Sequence, residues 1–337
     1  MREPTIPGRY LLQAFASGFL REDSENRMQV FLQTKGLSLE SLQEPDFRFP
    51  LKWLNELVPK NNAISRPVLA YQFGDMVRLT SQGNLSLVFM TSPNIRESLE
   101  SSRFIALQSN VVSILFRESE SAGYLFIDIS SGSRFLDQII LFYCFAAIRR
   151  LMIAVTGLNP VCNMRVTFEK PVDFDLIVPD VRGHWSFSQP TNCLIVEKSF
   201  LDSRSLFADP IEYIVAKRAC EKELATLNET RSISDMVCKL MVHDGIWEQA
   251  KAAEYLHVSK STLKRRLAQQ GVSYSALLTE VRKKQAAQLL TASDASVQVI
   301  AAQLGYRDQS NFSHAFKKWF NLSPSEFIHD HRKGDGS

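Results

Sequence analysis

The feature that most constrains this chain lies between Val299 and Phe327, which reads V-I-A-A-Q-L-G-Y-R-D-Q-S-N-F-S-H-A-F-K-K-W-F-N-L-S-P-S-E-F. Ala301 and Leu304 fall on one face of a short helix. Gly305 supplies a turn in which a left-handed backbone meets no Cβ penalty. Asp308 suits the N-cap of the next helix, along which Phe312, Ala315, Phe316 and Trp319 recur at helical spacing and point inward. Gln309, Ser310, Ser313 and His314 take the outer face as groups able to hydrogen-bond base edges, and Lys317 and Lys318 beyond them suit phosphates. Ser323-Pro324-Ser325-Glu326 is a capping box with proline at the first helical position, so a further helix begins there. This is a helix-turn-helix with a polar outer face.

The same order occurs about 48 residues upstream, in Ala253-Glu-Tyr-Leu256-His257-Val258-Ser259 and Lys-Ser-Thr-Leu263-Lys-Arg-Arg-Leu267. Ala253 corresponds to Ala301, Leu256 to Leu304 and His257 to Gly305. Histidine is among the few non-glycine residues that enter the left-handed region, so the turn is expected to survive the exchange. Leu263 and Leu267 match Phe312 and Phe316 once the second turn is allowed one extra residue. An uninterrupted helical stretch from Tyr274 to Leu290 joins the two units. Two such units on one rod are far more specific than one.

These residues identify a resemblance. Ser259-Lys-Ser-Thr-Leu-Lys-Arg-Arg-Leu267, the Val281-Arg282 pair and the 299–327 run make residues 236–330 similar to the DNA-binding domain of AraC/XylS bacterial transcription regulators. The resemblance implies seven helices, with a rigid connecting helix presenting two recognition helices to successive major grooves. By position it places base-facing groups at Ser261, Thr262, Lys264 and Arg265 in the first unit, and at Gln309, Ser310, Ser313 and His314 in the second. His314 departs from the arginine that many members carry, so a two-pronged guanine contact gives way to a single nitrogen at most. The resemblance also implies that Arg282 braces the two halves of the domain, whereas Arg282-Lys283-Lys284 read as a charge run would touch phosphate.

A charge run alone is ordinarily a solvated helix face. The duplicated fold around Lys264, Arg265 and Arg266 favours DNA contact instead. Residues three or four apart share a face, so Ser261, Lys264 and Arg265 can enter one groove while Arg266 reaches the backbone. The charge balance agrees: from 236 onward there are 14 Lys+Arg against 9 Asp+Glu, and before it 25 against 27. Positive charge thus sits where phosphate must be neutralised.

At 337 residues and 45% hydrophobic content, two domains with full cores are expected. No apolar run is free of charges over a membrane length, and the first residues lack a signal-peptide pattern. The five cysteines (Cys144, Cys162, Cys193, Cys220 and Cys238) are scattered and odd in number, with no Cys-x-x-Cys. That disfavours zinc and a disulfide framework and fits a reducing cytoplasm. One redox-active thiol is the less favoured alternative to buried, inert cysteine.

The N-terminal part reads as α+β. Residues 1–60 suggest helices, with apolar stripes at Tyr10, Leu11, Ala14, Phe15 and Phe19 and at Met28, Phe31 and Leu32, a third start at Pro50–Leu57, and a close at Asn61-Asn62. Val68–Phe73 and Leu85–Met90 look like strands or buried elements, and Ser92-Pro93 opens a helix to about Leu107. Val111–Phe116 and Gly123–Ile129 read as a hairpin. Phe135–Val155 is strongly apolar, but Asp137 and the Arg149-Arg150 pair make it a core helix rather than a membrane span. Met164–Phe168 and Thr191–Val196 give further strands around the turn-rich Pro171–Pro190, and Asp209-Pro210 caps a helix to about Leu227. Through Gly83–Ser98, Val166-Thr-Phe-Glu and Asp209–Leu227, this half more loosely resembles the sensor domain of the branch that includes ornithine- and arginine-responsive regulators and quorum-sensing modulators. That implies a ligand-sensing or dimerising α+β domain rather than a cupin barrel.

The expected organisation is an effector-binding or dimerisation domain over 1–227, a linker over 228–235, an all-α double helix-turn-helix domain over 236–332 and a disordered tail over 333–337, with His329-Asp330-His331 assigned to that loose end. No phosphate loop, Gly-x-Ser-x-Gly elbow or His-Glu-x-x-His is present, and the six histidines lack metal-ligand spacing. Cys162-Asn-Met-Arg165 is a poor approach to an activated thiol, and Glu221/Glu223 read as surface charges. No catalytic residue, metal or cofactor is expected. Arg149, Arg150 and Arg165 could neutralise a carboxylate-bearing effector but read first as ion-pairing residues, and Phe142, Tyr143 and Phe145 as core, so no effector-binding residue is assigned. The expectation is a cytoplasmic sequence-specific regulator, an activator rather than a repressor. Its partners would be double-stranded promoter DNA, RNA polymerase, a small-molecule effector and a second copy of the chain. Two alternatives stand beside it: a constitutive DNA-binding protein whose N-terminal domain only dimerises or contacts a partner protein, and a ligand-binding or enzymatic protein with a vestigial helix-turn-helix.

Overall fold

The computed structural model describes residues 4–16, 29–44, 47–53, 56, 66–78, 83–172, 174–177, 183–229, 232–293 and 295–332. Readings that rested on Phe19, Met28, Leu54, Leu57, Asn61-Asn62, residues 178–182 and the tail at 333–337 lie outside them, as do those on the side chains of Ala14 and Phe15. The chain divides into two compact units, residues 2–225 (less the turn at 118–120) and residues 226–337.

The first unit is built on the apolar helix expected near 135–155. Its elements in order are β1 (Thr5–Pro7), α1 (Arg9–Ala16), β2 (Arg48–Pro50), α2 (Arg66–Asp75), α3 (Asn84–Thr91), α4 (Ile95–Glu100), β3 (Val112–Glu118), β4 (Ala122–Ile129), α5 (Arg134–Thr156), β5 (Cys162–Arg165), α6 (Phe174–Ile177), β6 (Trp185–Ser186), β7 (Cys193–Glu197), α7 (Lys198–Leu201) and α8 (Pro210–Glu229). Five strands form one sheet in the order β3-β4-β7-β5-β6. β4 pairs antiparallel with β7 through Tyr124 and Ile195, β7 antiparallel with β5 through Leu194 and Met164, and β5 parallel with β6. Ala122 to Ile127 is a run of six buried residues, the mark of a strand covered on both faces. Phe142, Phe145, Met152 and Val155 of α5 join Leu125, Ile127, Met164 and Leu194 of the sheet in one core. α5 has the length and apolar composition of a membrane span, but its apolar face is spent on this core. Ser133 caps its start, and Gly157 ends it at φ 71°.

α2 lies directly on α5, and Gly74 is why it can: a Cβ there would stand 2.4 Å from the Tyr143 carbonyl oxygen. Here the sequence reading needs correction. Val68–Phe73 and Leu85–Met90 are helical, not strands, because a short apolar run fits a buried helix turn as well as a buried strand. Pro50 does not start a helix either. Arg48–Pro50 pairs antiparallel with Thr5–Pro7, and a 3-10 turn at Leu51–Trp53 follows. The helix expected from Ser92-Pro93 is capped by Asn94, whose side chain accepts from the Glu97 amide, and tightens into a 3-10 segment over Ser101–Leu107. Asp209 caps α8 as expected, accepting from the amides of Ile211 and Glu212.

Cys144, Cys162, Cys193 and Cys220 are buried and Cys238 is half-buried; all five are free. Burial pushes the thiols of Cys144 and Cys162 up to about 12 and that of Cys220 to about 11. Thiols held protonated in this way are poor nucleophiles and poor redox sensors.

The second unit holds seven helices among the described residues: α9 (Ile233–His243), α10 (Gln249–Tyr255), α11 (Lys260–Gln269), α12 (Tyr274–Ala292), α13 (Val297–Gln303), α14 (Gln309–Phe320) and α15 (Pro324–Arg332). α12 is the expected rod. Tyr274, Leu277, Leu278 and Val281 on its first half pack into a core with Val237, Ala253, Leu263 and Leu267. Ala286, Ala287, Leu289 and Leu290 on its second half pack into another with Ala301, Leu304, Phe312 and Phe316. Each core therefore belongs to one helix-turn-helix. The expected capping box is reciprocal: Glu326 accepts from the Ser323 amide at 2.7 Å, and Ser323 accepts from the Glu326 amide at 3.3 Å. Hydrogen bonds from the Ser323 hydroxyl and then from its amide hold the Glu326 carboxyl below its ordinary value. One reading changes here, since α15 runs to Arg332 and takes in His329-Asp330-His331. Between the units, α8 reaches Glu229, residues 230–231 lie outside the described set, and Ser232 already caps α9.

Candidate nucleic-acid interface

The two turns are superimposable in their hydrogen bonding. In the first, the amides of Leu256, His257 and Val258 donate to the carbonyls of Ala252, Glu254 and Ala253; in the second, those of Leu304, Gly305 and Tyr306 donate to Ile300, Ala302 and Ala301. This is the paired closure of a helix that ends in a left-handed residue. His257 has φ 52° and Gly305 φ 73°, so histidine does what glycine does 48 residues later. The following caps match too. Ser259 Oγ accepts from the Thr262 amide at 3.1 Å and Asp308 Oδ1 from the Asn311 amide at 2.7 Å.

From each cap the next helix buries its fourth and eighth residues. Leu263 and Leu267 are sealed in the first core, Phe312 and Phe316 in the second, with Ala315 and Trp319 half-buried. What remains outside is the set of expected contact residues. On α11, Ser261, Lys264, Arg265 and Arg266 are exposed and Thr262 is half-exposed; on α14, Gln309, Ser310, His314, Lys317 and Lys318 are exposed and Ser313 is half-exposed. Ser261 and Thr262 each share a hydrogen bond with the cap hydroxyl of Ser259, at 2.9 and 2.8 Å. No ion pair among the described residues holds Lys264, Arg265 or Arg266. Three uncompensated cations on one turn of an exposed helix suit a polyanion.

Arg282 does not face outward with its neighbours. Its Nε donates to the Leu304 carbonyl at 2.9 Å and Nη2 to the Gly305 carbonyl at 3.0 Å. The guanidinium also lies over the rings of Tyr306, at 4.3 Å, and Trp247, at 5.5 Å. It therefore ties the rod to the second turn. Trp247, which sequence reading passed over, completes the joint. It lies in the link between α9 and α10, donates Nε1–H to the Gln303 carbonyl at 3.1 Å, and packs against both cores. The only hint of it in the sequence is a tryptophan beside Ile246 in a short link. Bonds to carbonyls from a charged donor contribute about 1.5–3 kcal/mol each, so the two halves are held as one body.

Residues 252–330 match the family described as a helix-turn-helix domain, and residues 27–205, more than half of the chain, match the arabinose-binding N-terminal domain of AraC transcription regulators. The ornithine utilization regulator of Pseudomonas aeruginosa is 26% identical over 303 residues, 86% of each chain. The transcriptional activator FapR of Escherichia coli is 30% identical over 142 residues, 41% of this chain and 50% of its own. Among solved structures, the regulator CdpR of Pseudomonas aeruginosa aligns over 92% of this chain and 99% of its own, with 20% identity and a TM-score of 0.44. With one match spanning the sensor half and another the paired helix-turn-helix units, this chain belongs to the AraC family of transcription regulators, proteins that bind DNA through the second half and carry a ligand-binding domain in the first.

Proposed function

We propose that α11 and α14 are the two recognition helices and enter successive major grooves about one helical turn apart. The observation that carries this is the repeated turn-cap-helix geometry, with polar and basic residues left outside each time and Arg282 and Trp247 locking the repeats together. Ser261, Thr262, Lys264 and Arg265 read bases in the first half-site while Arg266 neutralises phosphate. Gln309, Ser310, Ser313 and His314 read the second, with Lys317 on the backbone. Affinity comes largely from phosphate and specificity from base edges. His314 supplies a single ring nitrogen, so the second half-site tolerates more sequence variation than the first.

The N-terminal unit binds a small effector, dimerises, or both, and so sets the spacing of two DNA-binding units; the linker falls within the expected 228–235, between the end of α8 at Glu229 and the start of α9 at Ile233. Matches to AraC N-terminal domains and to a regulator named for ornithine utilization support an effector. Activation rather than repression, with RNA polymerase as partner, is part of the same proposal, and one of the relatives is named an activator.

Arg265→Ala is the direct test of the first helix. Loss of a base-contacting arginine is expected to weaken binding by roughly 1–3 kcal/mol and relax one base position. Arg265 is exposed, so stability should not change. Equal affinity and equal selectivity in a competition binding assay would remove Arg265 from the interface.

A further inference from the structure

We propose that the N-terminal unit carries a binding site for a small carboxylate with an apolar body, centred on Tyr71, Arg149 and Trp185. This rests on the reading of that unit as effector-binding and names the chemistry of the effector.

The site begins with unspent donors. Tyr71 on α2 is 5% exposed and Arg149 on α5 is 8% exposed. The Tyr71 hydroxyl, Arg149 Nε and the Trp185 indole Nε1 are all buried, and none has a hydrogen-bond partner among the described residues. A buried polar atom left unpaired costs about 1–3 kcal/mol, so three on neighbouring side chains require a reason. Tyr71 brings them together. Its ring meets that of Trp185 edge-on at 5.8 Å, and its hydroxyl lies beside the Arg149 guanidinium without the geometry of a bond to it.

The rest of Arg149 is anchored. Nη2 donates to Asn159 Oδ1 at 3.0 Å, and Nη1 stands 3.6 Å from the Asp75 carboxylate, so the guanidinium is oriented with Nε–H left over. Asp75 is half-exposed and offers only a long contact, which leaves the buried cation incompletely balanced. Cys162, the other titratable group near Tyr71 and Arg149, stays a neutral thiol because burial raises it.

Three donors and a residual positive charge select an acceptor-only anion. A carboxylate offers two oxygens with about four lone-pair sites and no competing donor. The aromatic rings packed around Trp185 select an apolar body. Trp185 stacks on Phe142 at 5.2 Å and meets Phe174 at 5.1 Å and Phe145 at 5.7 Å. Trp185 is itself half-buried, so the cluster reaches the surface there and beside Asp75.

The test uses the full chain and its Tyr71→Phe variant. Butanoate, octanoate, benzoate and phenylacetate, each beside its primary amide, are titrated by calorimetry and by thermal shift, and DNA binding is measured on the same preparations. At least one carboxylate is expected to raise the melting temperature, with its amide binding at least about tenfold more weakly. Tyr71→Phe should weaken that carboxylate about tenfold, the scale of one hydrogen bond to a charged group. Without ligand the variant should melt at or above the wild type, because an unpaired buried hydroxyl has gone. The site is overturned if no carboxylate binds, if binding is indifferent to Tyr71→Phe, or if the variant melts lower without ligand, since the hydroxyl is then already satisfied. Retained DNA binding in those cases leaves the regulator standing. A carboxylate that binds both proteins equally keeps the effector and moves its site elsewhere.

Discussion

Gly305→Ala is expected to destabilise the C-terminal unit by about 3 kcal/mol and to weaken binding at sites that need both half-sites. Two costs combine. Gly305 has φ 73°, where a Cβ costs roughly 1–2 kcal/mol. That Cβ would also stand 2.5 Å from Cδ1, 2.6 Å from Cγ and 3.0 Å from Cβ of Trp247. These are the root of the side chain, not a flexible end, and the indole is pinned by its bond to Gln303 and by Arg282. Overpacking of a fixed contact adds about 1–3 kcal/mol. Since Trp247 joins the two cores, the strain falls on the relative placement of α11 and α14. His257 has the same conformation at the first turn and is exposed, so His257→Gly serves as a near-neutral control. Urea denaturation measures both, and an unchanged midpoint for Gly305→Ala would show that the Trp247 contact is not what joins the repeats.

Ser313→Pro should have the largest local effect. Proline inside a helix removes a backbone hydrogen bond and drives its ring into the carbonyl four residues back, here that of Gln309, at a cost of about 3 kcal/mol or more. Phe312 and Phe316 flank the position and are fully buried, with Phe316 meeting Phe327 of α15 at 5.1 Å. A kink at 313 therefore opens the second core as well as misaiming Gln309 and His314. The nuclease footprint on a full site should shorten to the first half-site, while the melting of the N-terminal unit stays where it was. A footprint of unaltered length would mean that α14 does not touch DNA.

How much could be read from the chain differs sharply between the two units. The C-terminal unit was legible because its signals are local. Ser259, Asp308 and Ser323 announce helix starts, Leu263/Leu267 and Phe312/Phe316 give the buried face, and repetition confirms the frame. The joint was only half legible. Arg282 was flagged through the family resemblance, but Trp247 acts on residues 303–305, more than 50 positions away, and nothing local marks it. In the N-terminal unit the long hydrophobic helix and the hairpin were plain, since length settles the one and two β-rich runs around the polar Arg117–Ser121 settle the other. Val68–Phe73 was not, because six apolar-rich residues fit either geometry until Gly74 is seen against Tyr143. Strand 48–50 was missed for a similar reason, as its partner lies at 5–7. Tyr71, Arg149 and Trp185 are brought together only by the fold.

The most direct test of the central claim is selection of binding sites from random duplex DNA, run with the full chain and with residues 231–337. Two conserved blocks about one helical turn apart should be enriched by both, with the fragment showing that the link between α8 and α9 separates an autonomous DNA-binding unit. The first block should be the more sharply defined. Doubled motifs from the full chain alone would add dimerisation through the N-terminal unit. Enrichment by the fragment only would place an effector requirement on the full chain. No enrichment by either, from protein that is folded, would contradict the assignment of α11 and α14 as paired recognition helices.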